Sequence, residues 1–203
     1  MDRSKLLWGL ILAPFFYYIG LFGCAMLWPG YSHVTQYASE LGSAASPCPT
    51  LFNGNVILCG LAALIGGFGL SHVLAEFSGL RGWATAAGVS ISLWGIAIVI
   101  GGLYPMPDER HGAFGLAIVG QLTPLFTLVA LRKVEGVAAL KAFLAFIFLA
   151  SLAMFAIMMG VGELVTRANV GIWQRTYGAL SIPYLAILGW LLMQRAARPA
   201  VGA

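Results

Sequence analysis

Eight polar side chains stand out in a chain that is otherwise nearly all apolar: His33, Gln36, Ser39, Glu40, Asp108, His111, Glu163 and Arg175. The first four lie in residues 29–49, PGYSHVTQYASELGSAASPCP, which contains no Lys or Arg. Wound as a short helix capped by Ser32 and closed by Gly42, this stretch puts His33, Tyr37 and Glu40 on one face. Val34, Ala38 and Leu41 then form the opposite, apolar face, so the helix would lie flat on a bundle or in a lipid headgroup layer. In LYPMPDERHG, Asp108 and His111 are three residues apart, close enough to share a proton or, with His33 and Glu40, to hold a metal ion. No tight His/Cys spacing supports a metal, and no metal or other cofactor is expected. Asp108 also has a plain role as a helix N-cap, with Glu109 favouring the positive helix end. Arg175 falls near the start of an apolar helix, where a cation opposes the dipole and wants a carboxylate. Glu163, Glu40 and Asp108 are available as partners. The planar guanidinium equally suits a phosphate or carboxylate of a ligand. The plain alternatives are a solvated loop face and ion pairs that tie loops together.

The elements that must position these residues are membrane spans. Hydrophobic residues make up 60% of the 203 and charged residues only 9%, where a soluble domain carries about 25% charged residues. The expected fold class is all-α: a polytopic integral membrane protein, a bundle of six transmembrane helices forming a single domain. A helix needs about 20 apolar residues to cross a bilayer, and six stretches qualify: residues 6–28, 51–74, 82–103, 112–131, 137–161 and 173–193. The net charge of +4 is no sign of nucleic acid. The basic residues are scattered between spans and lack the density of a nucleic-acid patch. Arg3, Lys5, Arg81, Arg132, Lys133, Lys141, Arg195 and Arg198 gather on one side, eight of the eleven, against Arg110, Arg167 and Arg175 on the other. By the positive-inside rule both termini are cytoplasmic and residues 29–50 form a long outer loop. Trp28, Tyr31, Tyr104 and Trp173 then mark the outer interface, with Trp8, Trp83 and Trp190 at the inner one. All eight candidate residues fall on the outer side.

Within the spans, Pro14, Pro124 and Pro183 are expected to kink their helices. Ala84, Gly88 and Ser92 recur at four-residue spacing, which suits close packing inside the bundle better than oligomerisation. Gln121 is the one strongly polar side chain clearly inside a span and is expected to bond between helices. Three cysteines make no disulfide framework. Cys24 and Cys59 read as small buried hydrophobes, while Cys48 sits in the polar loop, within conceivable reach of Cys24. The N-terminal apolar run is too long for a signal core and is read as a retained span.

Three clusters of outer-loop residues resemble a known family. Pro29-Gly30-Tyr31-Ser32, then Tyr37-Ala38-Ser39-Glu40-Leu41-Gly42, then Leu51-Phe52-Asn53 are similar to domain of unknown function 998, a prokaryotic family of multispan membrane proteins. Tyr104-Pro105 with Asp108 resembles its second motif and residues 171–175 its last. More distantly, Ser39-Glu40-Leu41-Gly42 resembles a loop of the Frag1/DRAM/Sfk1 proteins, with Ala38 where that group has isoleucine and Glu40 where it has aspartate. The first resemblance implies a multi-pass protein of a prokaryotic cell membrane and carries no catalytic residues. The second group is associated with lipid remodelling and membrane trafficking.

Three functions fit the residues. The favoured one is a polar lipid- or small-molecule-binding site at the extracytoplasmic interface, with membrane lipid as the partner. The second is a structural, accessory or transport protein in which the outer charges only brace loops. The third is an outer-leaflet lipid hydrolase or transferase, with or without a metal, with His33 or His111 as base. Coupled transport is disfavoured by the lack of an acidic residue within the spans.

Overall fold

The structure, a computed structural model, describes residues 3–196, the side chain of Phe114 excepted. Arg198 and the tail that follows lie outside the described residues. The described residues are all-α, with six helical segments among them long and apolar enough to cross a membrane: Arg3–Leu27, Pro49–Ser78, Arg81–Leu103, Glu109–Lys133, Ala138–Met158 and Val170–Ala196. An even number of crossings returns both termini to one end of the bundle. The opposite, distal end carries the long first loop and the loops around residues 104–111 and 159–169. Large side chains such as Phe15, Ile19, Phe68 and Leu149 point outward on the spans. That arrangement is unfavourable in water but costs nothing against lipid tails, which are as apolar as a core.

Among the described residues the α-helices are α1 (Trp8–Leu27), α2 (Pro49–Ser78), α3 (Arg81–Leu103), α4 (Thr123–Ala130), α5 (Ala138–Met158), α6 (Val170–Ser181) and α7 (Tyr184–Ala196). The tightest pairing joins α2 to α3. Gly79 ends α2 in the left-handed region at φ 68°, which glycine adopts without penalty, and α3 begins two residues later. Gly60 and Gly95 then face each other across the pair. A Cβ on either would lie 2.5 Å from the other's carbonyl oxygen. Gly88 packs against Gly67 and Ser71, Ser92 Oγ donates to Leu64 O at 3.2 Å, and Ala84 is fully buried. The small-residue stripe on α3 is therefore packed inside the bundle, as its spacing predicts.

Two crossings are less regular than the hydropathy suggests. In the fourth, residues Glu109–Leu122 form a 3-10 helix, and α geometry starts only at Thr123. Pro124, in the first turn of α4, has no N–H and crowds the carbonyl four residues back, so a continuous α-helix through it is disfavoured. Gly112, Gly115 and Gly120 further weaken α geometry before it. Gly120 lies flush on the Trp94 ring. In the sixth crossing, Pro183 separates α6 from α7. Pro14 is accommodated inside α1. Two polar contacts link the spans: Gln121 Nε2 donates to Tyr177 Oη between crossings, and the buried Ser90 and Thr123 hydroxyls lie 2.8 Å apart, whereas the buried Ser151 hydroxyl in α5 has no partner among the described residues.

The first loop differs most from expectation. Its helical part is a single 3-10 stretch, Ala38–Gly42, not a helix from Ser32. Ser32 does cap, but it caps a turn: its Oγ accepts from the Val34 and Thr35 N–H groups at 3.3 and 3.2 Å. The Gln36 carboxamide oxygen in turn accepts from Ser32 N at 2.8 Å. These local bonds close residues 32–36 on themselves, Tyr37 is extended, and the helical phase between His33 and Glu40 is lost. Gly42 does end the helix, and its carbonyl accepts from Asn53 Nδ2 at 2.9 Å.

Candidate functional site

The distal polar residues divide into separate groups, and the largest is centred on Arg175. This side chain rises from the second turn of α6 into the first loop. Its Nε donates to His33 Nδ1 at 2.9 Å, and its Nη1 donates to Gln36 O at 2.8 Å and Gly171 O at 2.9 Å. Nη2 donates to Tyr31 Oη, whose own hydroxyl donates to Tyr37 O at 2.9 Å. The loop reaches Arg175 because α6 offers it a flat seat. A Cβ at Gly171 would lie 2.5 Å from Gln36 O, 2.7 Å from His33 O and 2.8 Å from Val34 O. Ile172 N donates to Val34 O at 3.1 Å and Ala38 N donates to Gln174 Oε1 at 2.6 Å, which completes the docking.

Every partner of Arg175 is neutral. The carboxylate expected beside it is not there: no ion pair joins it to Glu40, Asp108 or Glu163 among the described residues. A guanidinium has five N–H groups, and four are taken by the bonds above. One Nη2–H remains. Because Arg175 Nε can only donate, His33 Nδ1 must accept, so the imidazole is neutral and carries its proton on Nε2. Burial, reinforced by the nearby guanidinium, lowers the His33 pKa and keeps it so. Burial raises the Tyr31 phenol, against the lowering influence of Arg175.

Gln36 and Glu40 are spent within the loop. Glu40 Oε1 accepts from Tyr37 N at 2.8 Å and Oε2 from Gln36 Nε2 at 3.1 Å. Gln36 thus connects Glu40 to Arg175 through its main chain without bringing the charges together. Ser39 Oγ contacts Met106 Sδ at 3.0 Å and ties the first loop to the second.

Asp108 and His111 do not form a pair. Asp108 caps the Glu109–Leu122 helix by accepting from Arg110 N, and it holds the Arg110 guanidinium through Nε at 2.9 Å and Nη2 at 2.7 Å. The hydrogen bond from Arg110 holds the Asp108 carboxyl down to about 2. Arg110 also stacks 3.8 Å over the Tyr104 ring. His111 Nδ1 donates to the carbonyls of Gly101 and Tyr104 at 3.1 and 3.0 Å, so it caps the end of α3. Glu163 sits exposed at φ 53° and has no side-chain bond to the other seven residues. Neither histidine is hydrogen-bonded to a carboxylate. No three His, Cys, Asp or Glu side chains gather as metal ligands among the described residues.

Cavities lie on either side of the first loop. A groove of about 530 Å³ runs down the outside of the bundle between α1 and the break at Pro183, lined by Pro14, Phe15, Tyr18, Ile19, Phe22, Gly23, Pro183 and Ala186. A smaller cavity of about 170 Å³ continues it from Tyr18 and Phe22 to Arg175. From Tyr18 and Phe22 in its wall an aromatic ladder leads on into the loop: Tyr18 stacks on Phe22 at 5.8 Å, Phe22 meets His33 at 6.0 Å, and His33 meets Tyr31 at 5.3 Å. On the other side of the loop, a polar cleft of about 510 Å³ lies between Glu40 and Arg167.

Sequence reasoning passed over Tyr31, Gly171 and Gln174 as site residues, although Tyr31 and residues 171–175 lie in the stretches that carry the family resemblance. Their signal was the pairing of a glycine with an arginine one helical turn later. That spacing leaves a flat helix face beneath a charge, and only the loop's path shows what occupies it.

No curated protein and no solved structure matches the chain. The family model described as "Protein of unknown function (DUF998)" matches residues 11–191, which includes the first loop, the α2–α3 pair and the Arg175 helix. The multispan architecture and the motif-bearing distal loops accord with that match, and the chain belongs to the DUF998 family of membrane proteins.

Proposed function

We propose that the protein binds a membrane lipid with an anionic head group at its distal end, which faces the outside of a prokaryotic cytoplasmic membrane. The head group sits at Arg175 and one acyl chain lies in the groove between α1 and the α6–α7 break. The observation that carries this reading is the unneutralised guanidinium at the top of an apolar groove. A charge drawn partly out of water without a counter-ion favours an anion. The spare Arg175 Nη2–H and the His33 Nε2–H, which takes no acceptor among the described residues, are two donors for one phosphodiester. Below them the groove walls are apolar or aromatic, as an acyl chain requires.

The test is native mass spectrometry after incubation with phosphatidylglycerol or phosphatidylcholine. Phosphatidylglycerol is expected to be retained and phosphatidylcholine to be lost. Arg175→Gln abolishes the preference, and Ile19→Trp, which fills the groove without touching the loop, weakens retention of both lipids. Equal retention of the two lipids by the parent and both variants refutes the reading.

A bracing role is the second reading, supported by the four bonds that Arg175 already makes to the loop and its own helix. Under it, Arg175→Gln lowers thermal stability and leaves lipid retention unchanged. A hydrolase or transferase reading has less support, because neither His33 nor His111 has a carboxylate to orient it as a base.

A further inference from the structure

Cys24, at the distal end of α1, and Cys48, the residue before α2, lie in contact. Cys24 Sγ is 3.2 Å from Cys48 O, and Cys48 Sγ is 3.8 Å from Cys24 O. Each sulfur therefore rests on the other residue's main chain, the close approach that a disulfide requires. The contact is held from both sides. Cys24 is fully buried with Leu21, Leu41, Phe52 and Val56, and Cys48 packs against the same cluster. The third cysteine offers no competing pairing: Cys59 lies 11 residues along α2 from Cys48, about 16 Å at 1.5 Å per residue, well beyond disulfide reach.

We infer that Cys24 and Cys48 form a disulfide that ties the distal end of α1 to the start of α2 and closes the loop bearing Tyr31, His33 and Gln36 into a covalent ring. The basic residues flanking the spans put this end of the bundle outside the cytoplasm, where disulfides persist. The oxidant is a disulfide-bearing thiol oxidase or a small-molecule disulfide. Cys48, the partly exposed thiol, loses its proton to water and attacks one sulfur of that disulfide, releasing one thiolate. Cys24, deprotonated in turn, displaces the second thiolate from the mixed disulfide. The balance is two protein thiols and one external disulfide in, one protein disulfide and two external thiols out. The cross-link spans 24 positions, so it removes loop freedom from the unfolded chain while leaving the packed arrangement in place. It secures the segment on which the proposed lipid site depends, but it stands on the thiol geometry alone.

The test is thiol counting on protein denatured directly from its membranes in excess maleimide without reductant, so that the buried Cys24 and Cys59 are reached as well. The expected result is one maleimide, on Cys59, rising to three when reductant precedes blocking, since the chain has three cysteines. Cys48→Ser takes two without reductant, and only the parent loses several degrees of melting temperature on reduction. If the parent takes three maleimides, a fresh, unblocked sample is incubated with oxidised glutathione. Loss of two hydrogen masses with Cys24 and Cys48 linked sustains the pairing. Thiols that stay free, or a stable glutathione adduct on Cys48, overturn it.

Discussion

The docking of the first loop on α6 can be tested at one atom. Gly171→Ala adds a single methyl group at the second position of α6. Its carbon would sit 2.5, 2.7 and 2.8 Å from the carbonyl oxygens of Gln36, His33 and Val34. All three are main-chain atoms with no rotamer to yield, so the loop must retreat by roughly 0.5–1 Å to reach ordinary contact. That stretches the Ile172 N–Val34 O and Arg175 Nη1–Gln36 O bonds, now 3.1 and 2.8 Å, past useful length. A neutral bond contributes about 0.5–1.5 kcal/mol and a charged one about 1.5–3. Against this, alanine favours the helix over glycine by about 1 kcal/mol. The clash wins, and the net loss is about 1–3 kcal/mol. Hydrogen exchange at the Ile172 and Ala38 amides reads this directly, with roughly 5- to 150-fold faster exchange expected in the variant. The sign decides the matter. If Gly171→Ala leaves both amides as protected as before and raises the melting temperature, helix propensity is the only term present. The loop is then not seated on Gly171.

The remaining predictions concern charge and packing. His33 has a folded pKa below its ordinary value, so the unfolded chain binds the proton more readily and stability rises with pH. Its contribution is complete above about pH 6.5 and is lost as pH falls through the folded value, because the Nδ1 proton then faces Arg175 Nε–H. A melting-temperature profile from pH 8 to 5 is expected to fall for the parent and to flatten for His33→Gln; parallel profiles would show that His33 is not the titrating group. Asp108, held down to about 2, loses its contribution only as pH falls below the ordinary carboxylate range, so it does not obscure this window. Thr123→Val removes the 2.8 Å bond between the buried Thr123 and Ser90 hydroxyls and leaves Ser90 Oγ only its donation to Ala87 O, and it is expected to cost about 1 kcal/mol in reversible unfolding from detergent. Gly95→Ala sets a methyl group 2.5 Å from Gly60 O. It is expected to lower stability by about 1–3 kcal/mol without altering the molecular mass seen by light scattering, since the packed face lies inside the bundle.

The sequence by itself determined the number of crossings, the ends at which the loops gather, and the polar stretches worth attention. Hydropathy is a local sum over about 20 residues, so it needs no knowledge of neighbours. The same holds for Asp108 as a cap and for the small stripe on α3, both of which follow from short-range spacing. What only the tertiary structure decided is which groups meet. The carboxylates nearest in kind to Arg175 are held elsewhere: Glu40 by Tyr37 N and Gln36, Asp108 by Arg110, while Glu163 stays exposed. Local bonds from Ser32 and Gln36 override the helical period that would align His33 with Glu40. Arg175 is left to carbonyls, a phenol and an imidazole because Gly171 lets the loop's main chain reach it first. Partner choice of this kind depends on the path of two segments more than 130 residues apart, and no local pattern in either one encodes it.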